Sequence, residues 1–241
     1  MHRHISLLVA LALASGAAHA EWRASVGFGD CITQNSDLRI TAPNTDLTAD
    51  HVKWYGRGFE VPPWYDLNLV WFPRPRASLG FTAGLLHAKV YADGNRLTHM
   101  HGAVDGDPVD SVVPLGNYVQ EFSISHGVNF FHVGVVARRQ WRRSPHFPSG
   151  RWEPFVSLAA GPVLNHPENR VFGQDVDQDY HWNHSWGFLG SVGLHHPLSP
   201  RWGVFAEVKR THVAERVPTA TGTATTTLNS THFGIGMDYN W

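Results

Sequence analysis

The sequence predicts an all-β protein, an eight-stranded antiparallel transmembrane β-barrel of the outer-membrane type. Three observations lead there. Apolar residues recur with a period of two, the chain ends on such a segment, and the connections between segments fall into a short set and a long set. Beyond the N-terminus no stretch has eighteen consecutive apolar residues, so helical spans are excluded.

Residues 1–20 read as an export signal, with a basic start at Arg3, an apolar run from Ile5 to Ala14 and the small-residue ending Ala18-His19-Ala20. Residues 21–241 then form a single barrel domain. Its first strand carries Trp22, Ala24, Val26 and Phe28 on one face. A second runs from about Trp64 to Phe72 with Asp66 and Asn68 on one parity, and after the turn Pro73-Arg74-Pro75-Arg76 a third carries Leu79, Phe81, Ala83 and Leu85 toward Lys89 and Tyr91. Asn129, Phe131, Val133, Val135 and Ala137 mark the fourth, and Val156, Leu158, Ala160, Pro162 and Leu164 the fifth. The sixth presents Trp186, Phe188, Val192 and Leu194, and the seventh Trp202, Val204, Ala206 and Val208. The eighth alternates Phe233, Ile235, Met237, Tyr239 and Trp241 with small or polar residues, as a ring-closing strand facing lipid requires.

Links around residues 73–77, 138–153 and 197–201 are short or basic, and Arg138, Arg139, Arg142 and Arg143 read as a basic turn on the inner rim. Links around 31–61, 92–117, 166–181 and 213–230 are long and polar, and belong outside the cell. Closure of the ring is obligatory, because an unpaired backbone group in hydrocarbon costs several kcal/mol. Inward glycines in the last three strands suit a small, packed lumen.

Composition narrows the function. With 12% aromatic residues the chain is not disordered, and a formal charge of -1 gives no general attraction to nucleic acid. Its one cysteine, Cys31, cannot form an internal disulfide. The expected partners are outer-membrane lipid and lipopolysaccharide, around a monomeric barrel.

Removing His2, His4 and His19 from 17 histidines leaves 14 in the mature chain, an unusual content. Several stand near outer strand ends: His87 with Lys89, His126, His166 with Glu168, His184, His212 and His232. A closed ring brings such ends to one rim, where imidazoles and a carboxylate suit a divalent ion; a hydrated polar rim explains them equally. Glu207 and Lys209 share the inward parity of one strand, which fits either mutual neutralisation with a neighbour such as Asp238 or the orienting of a group at the rim. Ser125 and His126, being adjacent on a strand, are expected to point to opposite faces and not to form a nucleophile–base pair. Ser230 and His232 have compatible parity. Asp105, Asp107 and Asp110, and Asp175, Asp177 and Asp179, are loop carboxylates that fit either calcium binding or plain solvation.

The runs from Val52 to Phe59, Val61 to Phe72, His87 to Asp93 (HAKVYAD), Phe122 to Phe131 (FSISHGVNFF), Pro154 to Glu168 and Ala206 to His212 resemble the outer-membrane barrels known as lipid A oxidases. The matching polar positions are His87, Lys89 and Tyr91; His126, Gly127 and Asn129; His166 and Glu168; and Glu207 and Lys209. Leu86 stands where a threonine is usual, and Val208 where an aromatic is usual. The resemblance implies oxidation of the proximal glucosamine of lipid A to an aminogluconate by dioxygen with a divalent metal such as manganese. On this reading His87, His166 and Glu168 are metal ligands, and His126, Glu207 and Lys209 are catalytic or orienting groups. The alternatives are a structural or surface-interaction barrel and a narrow channel.

Overall fold

The computed structural model describes residues 20–147, 150–177 and 180–241, with no side chain for Asp177. The export signal, but for Ala20, and Asp179 lie outside the described residues. Fifteen strands follow one another: β1 (Glu21–Thr33), β2 (Ser36–Ala42), β3 (Thr45–Val52), β4 (Trp54–Tyr55), β5 (Tyr65–Phe72), β6 (Leu79–Ala92), β7 (Leu97–Val104), β8 (Asp107–Pro114), β9 (Val119–Arg138), β10 (Glu153–Asn165), β11 (Glu168–Val171), β12 (Gln174–Asp177), β13 (His181–Pro197), β14 (Trp202–Pro218) and β15 (Thr223–Asn240).

Eight of these make the ring, in the order β1-β5-β6-β9-β10-β13-β14-β15, and β15 returns to β1 with Val26 opposite Met237 and Phe28 opposite Ile235. Each is one of the eight strands expected from the alternation. Their outward parity leaves a belt of exposed apolar side chains, among them Phe28, Phe81, Val133, Leu158, Phe188 and Ile235. Aromatic residues border the belt. At the rim holding the chain terminus, Trp22 meets Trp71 and Trp202 meets Tyr239, with centroids 6.3 and 5.0 Å apart. At the other rim Phe131 meets Trp182 at 5.7 Å. A closed antiparallel ring with such a belt and girdles is an integral outer-membrane barrel, its short turns inside and its long connections outside.

Side chains fill the lumen. At the inner end the Arg138 guanidinium donates to Glu21 at 2.6 and 2.8 Å and to Glu153 at 3.2 Å, while Arg23 donates to Glu153 at 2.8 Å. His195 lies 2.9 Å from Asp238. Arg138 is therefore part of an internal plug, not of a basic turn, because its strand places it inward and its side chain is wholly buried. Higher up, Lys209 reaches Asp66 at 2.8 Å and Glu207 at 3.1 Å. A cavity of about 60 Å³ lined by Arg23, Asn68, Phe72, Glu207 and Lys209 lies between the two clusters. Gly236 leaves room for Phe205, whose ring atom would stand 2.4 Å from an added Cβ.

The long connections are themselves sheet. The outer end of β15 continues through β2 and β3 to β7 and β8, with Thr223 opposite Thr41 and Ala49 opposite Met100. Leu38, Ile40, Leu47, Ala49 and Met100 are almost fully buried and give this platform a core of its own. Asp105 and Gly106, with φ of 52° and 88°, form the tight turn joining β7 to β8. β11 and β12 form a second hairpin, which pairs with the outer half of β9.

Candidate metal centre on the outer wall

Two neighbouring strands break at one level. In β9 the pairing with β6 shifts between Ala88 and Val90, leaving Ser125 to Gly127 as a bulge, with Gly127 at a φ of 106°. Beside it β10 ends at Asn165, and the chain resumes pairing with β9 as β11 at Glu168. Bulges re-aim side chains, and this pair of breaks brings His126, His166 and Glu168 together. One ligand atom from each lies within 4.8 Å of the others. His126 Nδ1 is 3.2 Å from Glu168 Oε1, the His126 and His166 rings are 4.6 Å apart, and Tyr180 lies 4.9 Å from His166.

The cluster sits on the outside of the barrel. Leu164 is opposite Trp182, which contacts Phe131 in the outer girdle, and His166 is one outward-facing position beyond Leu164. The side chains of His126 and Glu168 are 49% and 31% exposed, so the group is open at the level where lipid gives way to water. Two imidazoles and a carboxylate, with positions left for water or substrate, are a donor set that suits a first-row divalent ion.

His87 was expected among the ligands and is not in this group. It lies on the same outward face, opposite Tyr65 and Asn129, where its ring stacks on Tyr65 at 4.8 Å and Nδ1 meets Asn129 Oδ1 at 2.8 Å. Residues 57–63 fold over this face, with Lys89 Nζ donating to the carbonyls of Glu60 at 3.2 Å and Val61 at 3.0 Å. Arg57 lies over Tyr91 at 4.2 Å. Nothing in the sequence marked Arg57, Tyr65 or Tyr180, since each becomes a neighbour only through strand pairing.

Glu207 and Lys209 occupy the expected inward parity, but they sit in the lumen, separated by the barrel wall from a lipid-borne sugar outside. Their partner is Asp66; Asp238 belongs instead to the inner plug. The expectation for Ser125 and His126 is also corrected. Ser125 Oγ lies 3.2 Å from His126 Nδ1, because the bulge breaks the alternation that would part them. Glu168 approaches that same nitrogen, so the three do not form the relay in which serine and carboxylate use opposite ring nitrogens. Ser230 bonds Thr33, whereas His232 bonds Trp64 and Thr211.

In overall form the chain is similar to solved outer-membrane proteins. These include the protease OmpT from Escherichia coli (10% identity, 92% of this chain and 97% of that one covered, TM-score 0.49) and OprG from Pseudomonas aeruginosa (9%, 92% and 95%, 0.45). A third is Ail, the attachment invasion locus protein of Yersinia pestis (12%, 92% and 99%, 0.40). No protein-family model and no curated protein matches the chain. Likeness of this size says nothing about activity, which has to be argued from the site.

Proposed function

We propose that this barrel is a lipid A-modifying oxidase that acts on the proximal glucosamine from the outer wall, with a divalent metal held by His126, His166 and Glu168. One observation carries the reading: the donor set faces the outer leaflet beside the aromatic girdle, where the sugar of a membrane-anchored glycolipid would lie. The metal, manganese or a similar ion, would supply Lewis-acid and dioxygen chemistry. The chain's own residues orient and shield. Glu168 and the two imidazoles provide the donor atoms, the outer girdle receives acyl chains, and Lys89 and Arg57 add positive charge on the same face.

The net chemistry balances if C1 of a free hemiacetal gives up two hydrogens to dioxygen, yielding a lactone and hydrogen peroxide. Water then opens the lactone to the aminogluconate. Mass spectrometry of lipid A from aerobically grown cells expressing the protein, beside a vector control, tests this. The expected result is a gain of one oxygen, which is lost in H126A/H166A. An unchanged spectrum with the folded barrel in the membrane and manganese supplied favours a structural or surface-interaction barrel. Loss of an acyl chain points instead to hydrolysis and overturns the oxidase reading. The narrow-channel alternative has to contend with ion pairs that fill the lumen at two levels.

A further inference from the structure

The turns at the inner end of the barrel carry a charge that the chain itself does not balance. Residues 73–78, between β5 and β6, and residues 139–152, between β9 and β10, hold Arg74, Arg76, Arg139, Arg142, Arg143 and Arg151 and not one aspartate or glutamate. All six arginines are exposed. The carboxylates of this end, Glu21 and Glu153, are buried in the lumen, where Arg23 and Arg138 engage them, so among the described residues none of the six forms an ion pair.

Strand pairing gathers the six into one patch. β6 and β9 are neighbours in the ring, so the two turns lie side by side. Gln140 joins them: its Nε2 donates to the Pro75 carbonyl at 2.7 Å, and its Oε1 accepts from Arg143 Nη2 at 2.7 Å. From the lumen, Arg138 fixes the first turn by donating to the carbonyls of Pro75 and Ala77, both at 3.0 Å. In the second turn Trp141 and Trp152 pair across the hairpin. The Arg151 N–H reaches the carbonyls of Trp141 at 2.9 Å and Arg142 at 3.3 Å, which sets Arg142 beside Arg151. The Arg142 guanidinium lies 5.3 Å from the Trp141 ring. Like charges held this close repel one another unless an anion lies against them.

The position of the patch names that anion. On β9 the lipid-facing parity runs through Val133, Val135 and Ala137, and Arg139 is the next residue on that side. The girdle residue Trp71 stands in one row with Phe81 and Val135, so Arg139 leaves the wall just beyond the girdle, where hydrocarbon gives way to headgroups. A guanidinium offers phosphate paired N–H groups, and its apolar stem can lie along the wall while the charge stays at the interface. We infer that this patch binds the phosphate headgroups of anionic phospholipids in the inner leaflet. The lipid A chemistry proposed above belongs to the opposite rim, so this inference stands apart from it.

The test uses the full mature barrel refolded in phosphatidylcholine vesicles that carry a trace of spin-labelled phosphatidylglycerol or spin-labelled phosphatidylcholine. Electron paramagnetic resonance measures the fraction of label held at the protein surface. Phosphatidylglycerol should associate several-fold more strongly than phosphatidylcholine, and the preference should fade near 1 M salt, where the screening length is about 3 Å. Replacing all six arginines by glutamine should abolish the preference, and R139Q alone should lower it. R96Q/R216Q, which changes two exposed arginines at the outer end, should leave it intact. Retention of the barrel's circular dichroism checks folding of each variant. Equal association of the two lipids overturns the assignment and leaves an acidic periplasmic protein as the partner of this patch. A preference that survives the six-fold substitution, or that R96Q/R216Q removes, overturns it as well.

Discussion

His126 and Glu168 approach to 3.2 Å across the seam between β9 and β11, at the level where β9 bulges and β10 stops. Both strand irregularities are needed for the contact. In unbroken strands, the alternation of side chains would set the parity of each residue independently.

The first prediction follows from that seam. Glu168→Gln keeps the shape and removes the charge, and His126→Ala or His166→Ala removes a nitrogen donor. Under the function proposed above, each should lower metal affinity, and with it the proposed oxidation of lipid A, by at least the roughly 10–100-fold that loss of an outer-shell partner costs, with the barrel still folded. Lys209→Met should leave the metal requirement unchanged, because it acts inside the lumen. Activity and metal content measured on the same preparations distinguish these cases.

Gly127 follows His126 in the bulge of β9 and packs against His87. Its φ of 106° is unfavourable for other residues, and a Cβ there would stand 2.2 Å from His87 Cε1. Gly127→Ala should therefore destabilise the barrel by about 1–3 kcal/mol and push His87 from its bond to Asn129. Urea unfolding in micelles and the His87 NMR signals read the two effects.

Inside the lumen, Lys209→Met leaves Asp66 and Glu207 facing each other without their cation. The expected cost is about 3–5 kcal/mol, and Asp66→Asn should recover part of it in the double variant. Planar-bilayer recordings of the unmodified protein should show no sustained conductance, since the Arg23–Glu153–Arg138–Glu21 plug crosses the inner end.

Glu215 gives a pH dependence of known sign. It lies on β14 above Arg210, where the outward face has become charged and the strand has left hydrocarbon. Burial pushes its carboxyl up to about 7, against a hydrogen bond from Asn165 that favours the ionised form. A folded value above the unfolded one means that stability is fully present below the unfolded value and is lost as pH rises through about 7. Unfolding free energies from urea titrations should fall between about pH 4.5 and 7, by on the order of 3 kcal/mol, and level off above, and Glu215→Gln should flatten the profile.

The barrel was legible because its signal is local. Each strand declares its lipid face by alternation, from Trp22, Val26 and Phe28 to Phe233, Ile235 and Met237. The wall site was half legible: His126, His166 and Glu168 stood out as rim residues, but the bulge at Ser125 to Gly127 left no sequence mark strong enough to replace His87 with His126. The choice of Asp66 over Asp238 beside Lys209 depends on the stagger between β5, β14 and β15, which strands acquire only on closing the ring. The platform was missed because its polar strands were read as loops, although Asp105-Gly106 is a hairpin-turn pair.

The platform grows from a pairing between the first and last parts of the barrel. β2 follows β1 directly, yet its neighbour is the outer end of β15, through Ala224 and Ile40. That contact spans almost the whole mature chain, so its loop-closure entropy is met only once the ring has been completed. The attachment of the platform to the wall is thus completed last, although its own hairpins β2–β3 and β7–β8 are local.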